Sequence, residues 1–152
     1  MDQSFKLFVD RLHPKCEELL SMKPVNIQTL PKSTPVGGIY LFSDGNNHLY
    51  TGRTKRPLHV RIKSHVSTAK DCPFAWHIAR EQNGFLATYK KLGSRNHLLG
   101  QPSFAQVYAQ AKDYIRTLDV RFVGESDPLC QALLEMYVAV VTKAKYNDFD
   151  TH

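Results

Sequence analysis

Residues 37–54, GGIYLFSDGNNHLYTGRT, decide the fold. Two runs rich in Ile, Tyr, Leu, Phe and Thr flank Asp44-Gly45-Asn46-Asn47, and this pattern predicts a β-hairpin from about Val36 to Arg53. Its register decides where the two tyrosines point. With a loop from Ser43 to Asn47, Tyr40 lies opposite Tyr50 and both hydroxyls reach one side of the sheet. A four-residue loop, Asp44 to Asn47, turns them to opposite faces unless a bulge intervenes, and the first register is the one expected.

Just after the hairpin, Pro57 suits the first turn of a short helix, Leu58 to Val66, in which Leu58, Ile62 and Val66 recur every fourth residue. Arg61 and His65 share a face of it. Upstream, Phe5, Phe8, Val9, Leu12, Cys16, Leu19 and Leu20 form an apolar stripe that predicts a helix from Ser4 to Leu20, kinked or split at His13-Pro14. A proline-bearing joint, Met22 to Pro35, separates it from the hairpin.

Downstream, the segment 71–118 holds two helical patterns, Phe74 to Gln82 and Ser103 to Leu118, and reads as an insertion. A basic stretch, Tyr89 to Gly100, lies between them, and Phe74 and Trp76 read as core residues of the first helix. Residues 119–124 alternate like a half-buried strand, and Asp127-Pro128 opens a helix to about Lys145. On that helix Gln131, Glu135 and Thr142 share a polar strip, and Glu135 is the acid of its interior. The fold class is therefore α+β: a small three-stranded antiparallel sheet flanked by helices, with an N-terminal helix and a helical insertion. One domain, 1–152, is expected, with residues 1–30 as a helical extension and 36–147 as the core.

Composition narrows the function classes. Of 152 residues, 42% are hydrophobic and 22% charged, which excludes disordered and collagen-like chains. The N-terminus, MDQSFKLFVDRLHPK, mixes acids and bases where a signal peptide needs an apolar run, so a cytoplasmic protein with no membrane partner is expected. Cys16, Cys72 and Cys130 are widely spaced and odd in number, which fits a reducing compartment. Lys and Arg number 20 against 14 Asp and Glu, a net charge of +6. Arg53, Lys55, Arg56, Arg61, Lys63 and Lys70 fall in one run without an acid, which favours a polyanion.

Gly38-Ile39-Tyr40, then Tyr50-Thr51-Gly52, then Arg61 with His65, then Glu135, then Asn147 resemble the ordered signature of the GIY-YIG nuclease superfamily, closest to its restriction-type members. Thr51 replaces the middle Ile of the second tripeptide and keeps a β-branched side chain. Each residue alone has an ordinary explanation as a sheet tyrosine, a solvated helix cation or a solubilising acid. Their conjunction, in family order on strand, strand, helix and helix, carries the resemblance.

The resemblance implies a divalent-metal-dependent endonuclease that hydrolyses DNA phosphodiester bonds. Tyr40 is the implied general base, aided by His65, with Tyr50 orienting the water or phosphate and Arg61 holding the scissile phosphate. Glu135 binds one Mg²⁺ or Mn²⁺ ion, and Asn147 supplies a supporting contact. All of them must converge around a single hydrated cation. Arg53, Lys55, Arg56, Lys63 and Lys70, with Lys90, Lys91 and Arg95 of the insertion, would contact backbone phosphates and leave binding steeply salt-dependent. A monomer or homodimer is implied, with specificity supplied by the insertion, by dimerisation or by a partner protein, because no helix-turn-helix or zinc-finger pattern is present. Two alternatives stand beside this: a catalytically inactive nucleic-acid-binding module on the same scaffold, and a nuclease acting on RNA or branched DNA. His48, His59, His65, Cys72 and His77 show no zinc-like spacing.

Overall fold

The computed structural model describes residues 1–68, 72–84 and 90–150. Along the chain, α1 (Gln3–Ser21) is followed by β1 (Val25–Asn26), a 3-10 turn (Ile27–Thr29), β2 (Val36–Asp44), β3 (Asn47–Pro57) and α2 (Leu58–Ser64). Then come α3 (Pro73–Asn83), α4 (Arg95–Leu99), α5 (Pro102–Arg116), β4 (Asp119–Gly124) and α6 (Pro128–Thr142). The class is α+β. The sheet corrects the expectation of three strands, because among the described residues it has four, all antiparallel, in the order β1-β4-β2-β3. The extra strand is β1, whose Val25 and Asn26 pair with Val120 and Asp119. Two residues are too few to show an alternation.

The chain forms two compact units: residues 1–63 with 118–147, and Ser64 to Thr117 with the tail from Asp148. In the first, β2 is an inner strand buried from Gly37 to Ser43, with its two faces serving different purposes. Ile39 and Leu41 join Val123 of β4 in a core with Leu12, Cys16 and Leu19 of α1 and Leu134 and Val138 of α6. Each such side chain contributes about 1.5–3 kcal/mol by leaving water. The helix α1 runs unbroken through Pro14, where a kink or split is expected from sequence. Pro14 is exposed, so the carbonyl it leaves unbonded can turn to water. Asp2 caps this helix, accepting from the N–H groups of Ser4 and Phe5 at 3.0 and 3.1 Å.

The end of α6 also departs from the sequence reading, stopping at Thr142 rather than near Lys145. Lys143 takes a left-handed conformation, φ 52°, and the chain turns back along β3. There the N–H groups of Lys145 and Tyr146 donate to the carbonyls of His48 and Leu49 at 3.3 and 2.8 Å.

The second unit is built on α3 and α5. Trp76 is wholly buried and stacks on Phe104, ring centroids 5.5 Å apart, with Tyr108 tilted against it at 4.7 Å. Phe74 is buried too, so both aromatics serve the core as the sequence predicts. The helix α4 lies within the stretch read only as basic and glycine-containing; Ser94 starts it by accepting from the His97 N–H. Among the described residues, no helix is long and apolar enough to cross a membrane.

Candidate active site

The two tripeptides lie side by side on β2 and β3, but their register differs from the expected one. Tyr40 pairs with Gly52 and Phe42 with Tyr50, and the loop is two residues long, between paired Asp44 and Asn47. The pairing then slips, with Ser43 opposite His48, so Leu49 is an extra residue in β3. This bulge keeps Tyr40 and Tyr50 on the same face, diagonally placed rather than directly opposed. The glycines of the motif follow from crowding. A Cβ on Gly52 would run into the ring and hydroxyl of Tyr40, and a Cβ on Gly38, whose φ is +152°, would collide with the carbonyl of Val123. Thr51, the middle residue of the second tripeptide, is fully buried, and its hydroxyl donates to the Tyr40 carbonyl across the strands at 3.0 Å.

Arg61, on α2, donates from Nε to the Tyr40 hydroxyl at 3.3 Å. Tyr40 is fully buried and Tyr50 nearly so, while Arg61 is half-buried. Tyr40 also packs edge-on against Phe42, centroids 5.9 Å apart, which fixes its ring plane.

Glu135 approaches from the other side of the sheet. Thr51 and Arg53 pair with Leu41 and Ile39, so they belong to the face covered by α6. There Arg53 Nε meets Glu135 Oε2 at 3.0 Å, with the carboxylate side chain 21% exposed. The polar strip of α6 turns inward at Gln131 and Glu135, while Met136, Val140 and Leu129 face outward, so Glu135 is no solubilising surface acid. Burial pushes its carboxyl above the ordinary 4.5, and the charges of Arg53 and Arg61 pull it back down. Tyr40 and Glu135 thus belong to opposite faces of the edge strand β3, and the structure does not bring all the motif residues around one point as the sequence reading requires.

Asn147 closes that edge. Its side chain accepts from the Thr51 N–H and donates to the Thr51 carbonyl, both at 2.8 Å, so the amide acts as a one-residue neighbouring strand. The structure therefore brings Asn147 to the residue between Tyr50 and Gly52. His65, expected on the helix beside Arg61 and as an aid to Tyr40, lies just past the end of α2 at Ser64. It belongs to the second unit, 1% exposed, with Nδ1 3.1 Å from the Cys72 Sγ and its ring edge-on to Phe74.

The basic residues are distributed unevenly. Lys55, Arg56, Lys63, Lys90 and Lys91 are exposed, Arg53 is engaged by Glu135, and Arg95 is half-buried with its guanidinium carbon 5.5 Å from the Trp76 ring centroid. Lys70 lies outside the described residues. A cavity of about 510 Å³ in the second unit, lined in part by Ser67, Tyr108, Lys112 and Arg116, includes none of the residues that the motifs single out. Sequence reasoning missed the roles of Gly52 and of Arg53 as the partner of Glu135. It also missed Arg80, four residues after Trp76 on α3, a spacing that is visible in the sequence.

Among the described residues, no group of three or more His, Cys, Asp or Glu side chains could hold a metal ion. A single-carboxylate site does fit the donor set. Glu135 is a hard oxygen donor reached by solvent, and one such ligand with waters and a phosphate oxygen satisfies Mg²⁺. Arg53 then has to yield the carboxylate oxygen it contacts. Comparison with protein-family models, curated proteins and solved structures returned no match.

Proposed function

We propose that the chain is a divalent-metal-dependent endonuclease of GIY-YIG type that hydrolyses DNA phosphodiester bonds. One observation carries the reading: Arg61 donates from Nε to the Tyr40 hydroxyl at 3.3 Å, so a guanidinium stands against the proposed base. Arg61 supplies the donor and the charge that a phenolate requires, and the planar geometry of a guanidinium suits a phosphate oxygen. Tyr40 would take the proton from the attacking water, its ring held by Gly52 and Phe42. Bound at Glu135, Mg²⁺ or Mn²⁺ supplies Lewis-acid stabilisation to the leaving oxygen. Arg53, displaced from Glu135, becomes a cation for an adjacent phosphate. Asn147 acts at one remove, positioning the backbone between Tyr50 and Gly52. His65, engaged with Cys72, supports the second unit in this account rather than relaying the proton.

The second reading, a binding module without catalysis, draws on the Arg53–Glu135 pair, which already neutralises the only carboxylate assigned to the metal. Supercoiled plasmid separates the two. The enzyme nicks it with Mg²⁺ or Mn²⁺ and stops when EDTA is added, whereas the module retards it without cutting under either condition. Competition with branched DNA, single strands and RNA identifies the preferred substrate.

A further inference from the structure

Trp76, Arg80 and Arg95 form a cationic cluster within the second unit, and none of them belongs to the candidate active site. Arg80 is 8% exposed, and its Nε is buried without a hydrogen-bond partner among the described residues. Its guanidinium carbon lies 5.3 Å from the Trp76 ring centroid, and that of Arg95 lies 5.5 Å from the same centroid. Stacking on an indole compensates the face of a guanidinium, but its N–H donors lie in the plane and still require acceptors. Two cations gathered on one ring also repel each other. Burial and the Arg95 charge accordingly lower the pKa of the Arg80 guanidinium.

Glu81 follows Arg80 directly, and beyond it the sequence is free of acids for a long stretch. Residues 82–112 contain neither Asp nor Glu, yet they carry Lys90, Lys91, Arg95 and Lys112. Lys90 and Lys91 are exposed. A paired set of planar donors, one nine-tenths buried, beside an acid-free stretch that bears surface lysines, suits a phosphate that belongs to a polyanion.

We propose that Arg80 and Arg95, held on the ring of Trp76, take a backbone phosphate of the bound nucleic acid. This rests on the nucleic-acid reading above and adds to it a second anchoring point, outside the hydrolytic residues. The contact fixes register and carries no base readout.

Trp76 is the single tryptophan of the chain and therefore reports directly on this site. The full-length protein is titrated with a short DNA duplex in EDTA, following tryptophan emission and, separately, the anisotropy of a labelled duplex. Emission is expected to change saturably in step with binding. Arg95→Gln should weaken duplex binding several-fold, shrink the emission change and lower the salt slope by about one. Arg80→Lys should restore little, since an ammonium lacks the planar fork. If Arg80→Gln unfolds, as judged by circular dichroism, Arg95→Gln alone decides. The proposal is overturned if the duplex binds with emission unchanged, or if the Arg95 variant binds with the wild-type affinity and salt slope. It is equally overturned if inorganic phosphate at matched ionic strength alters emission and the duplex does not, which would mark a free-anion site. A chain that passes this test but never nicks plasmid loses the hydrolytic reading and keeps this site. One that nicks but leaves Trp76 undisturbed loses only this site.

Discussion

The missing side chain of Gly52 leaves the space in which the Tyr40 phenol lies, and Arg61 reaches the hydroxyl there. Alanine at this position must push the ring aside, and a displacement of about 1 Å at a reacting group can cost on the order of 10²-fold in rate. Gly52→Ala should therefore reduce single-turnover nicking by about that factor while duplex affinity holds, which gel retardation checks. Glu135 makes a different prediction. Burial raises its carboxyl pKa above the unfolded value of 4.5, so the folded chain holds the proton more tightly there. Its contribution to stability is complete below 4.5 and is lost as pH rises through the folded-state value. Urea midpoints from pH 4 to 7 should show wild type losing stability relative to Glu135→Gln as pH rises; the opposite slope would contradict the burial argument. Tyr40, Arg61 and Glu135 can be singled out in the sequence because each is a distinctive residue type in a fixed order. The Arg53–Glu135 pair cannot, since it joins strand and helix residues far apart in sequence and depends on which sheet face each occupies.

At the level of elements, β3 is an exposed edge made safe by its own chain. The turn at Lys143 directs the segment after α6 along that edge, and Asn147 completes the pairing at Thr51. Removing both side-chain hydrogen bonds in Asn147→Ala should cost about 1–3 kcal/mol, at about 0.5–1.5 kcal/mol each. Thermal or urea unfolding measures it, and an unchanged midpoint would mean the clip contributes nothing. The strands themselves could be read from alternation and turn residues. The bulge at Leu49 could not, because one extra residue leaves composition unaltered and shows itself only when both strands are paired. It nevertheless decides that the two tyrosines share a face.

Over the whole molecule, the sequence carried the order and type of nearly all elements, and missed those too short for a period to show, the two-residue β1 and the five-residue α4. Periodicity on α6 suggested a polar strip, and only packing shows that Glu135 faces inward on it. His65 lay outside what spacing could resolve, since a helix repeat places it beside Arg61 while burial in the second unit engages it with Cys72. Arg61 reaches the phenol on one face of the sheet, and Arg53 meets the carboxylate on the other. The most direct measurement is metal-dependent plasmid nicking by wild type, Tyr40→Phe and Glu135→Gln, each shown to be folded by circular dichroism. The account predicts cutting by wild type in Mg²⁺ or Mn²⁺ and loss of at least about 10²-fold in each variant. Cutting by both variants at the wild-type rate would contradict it.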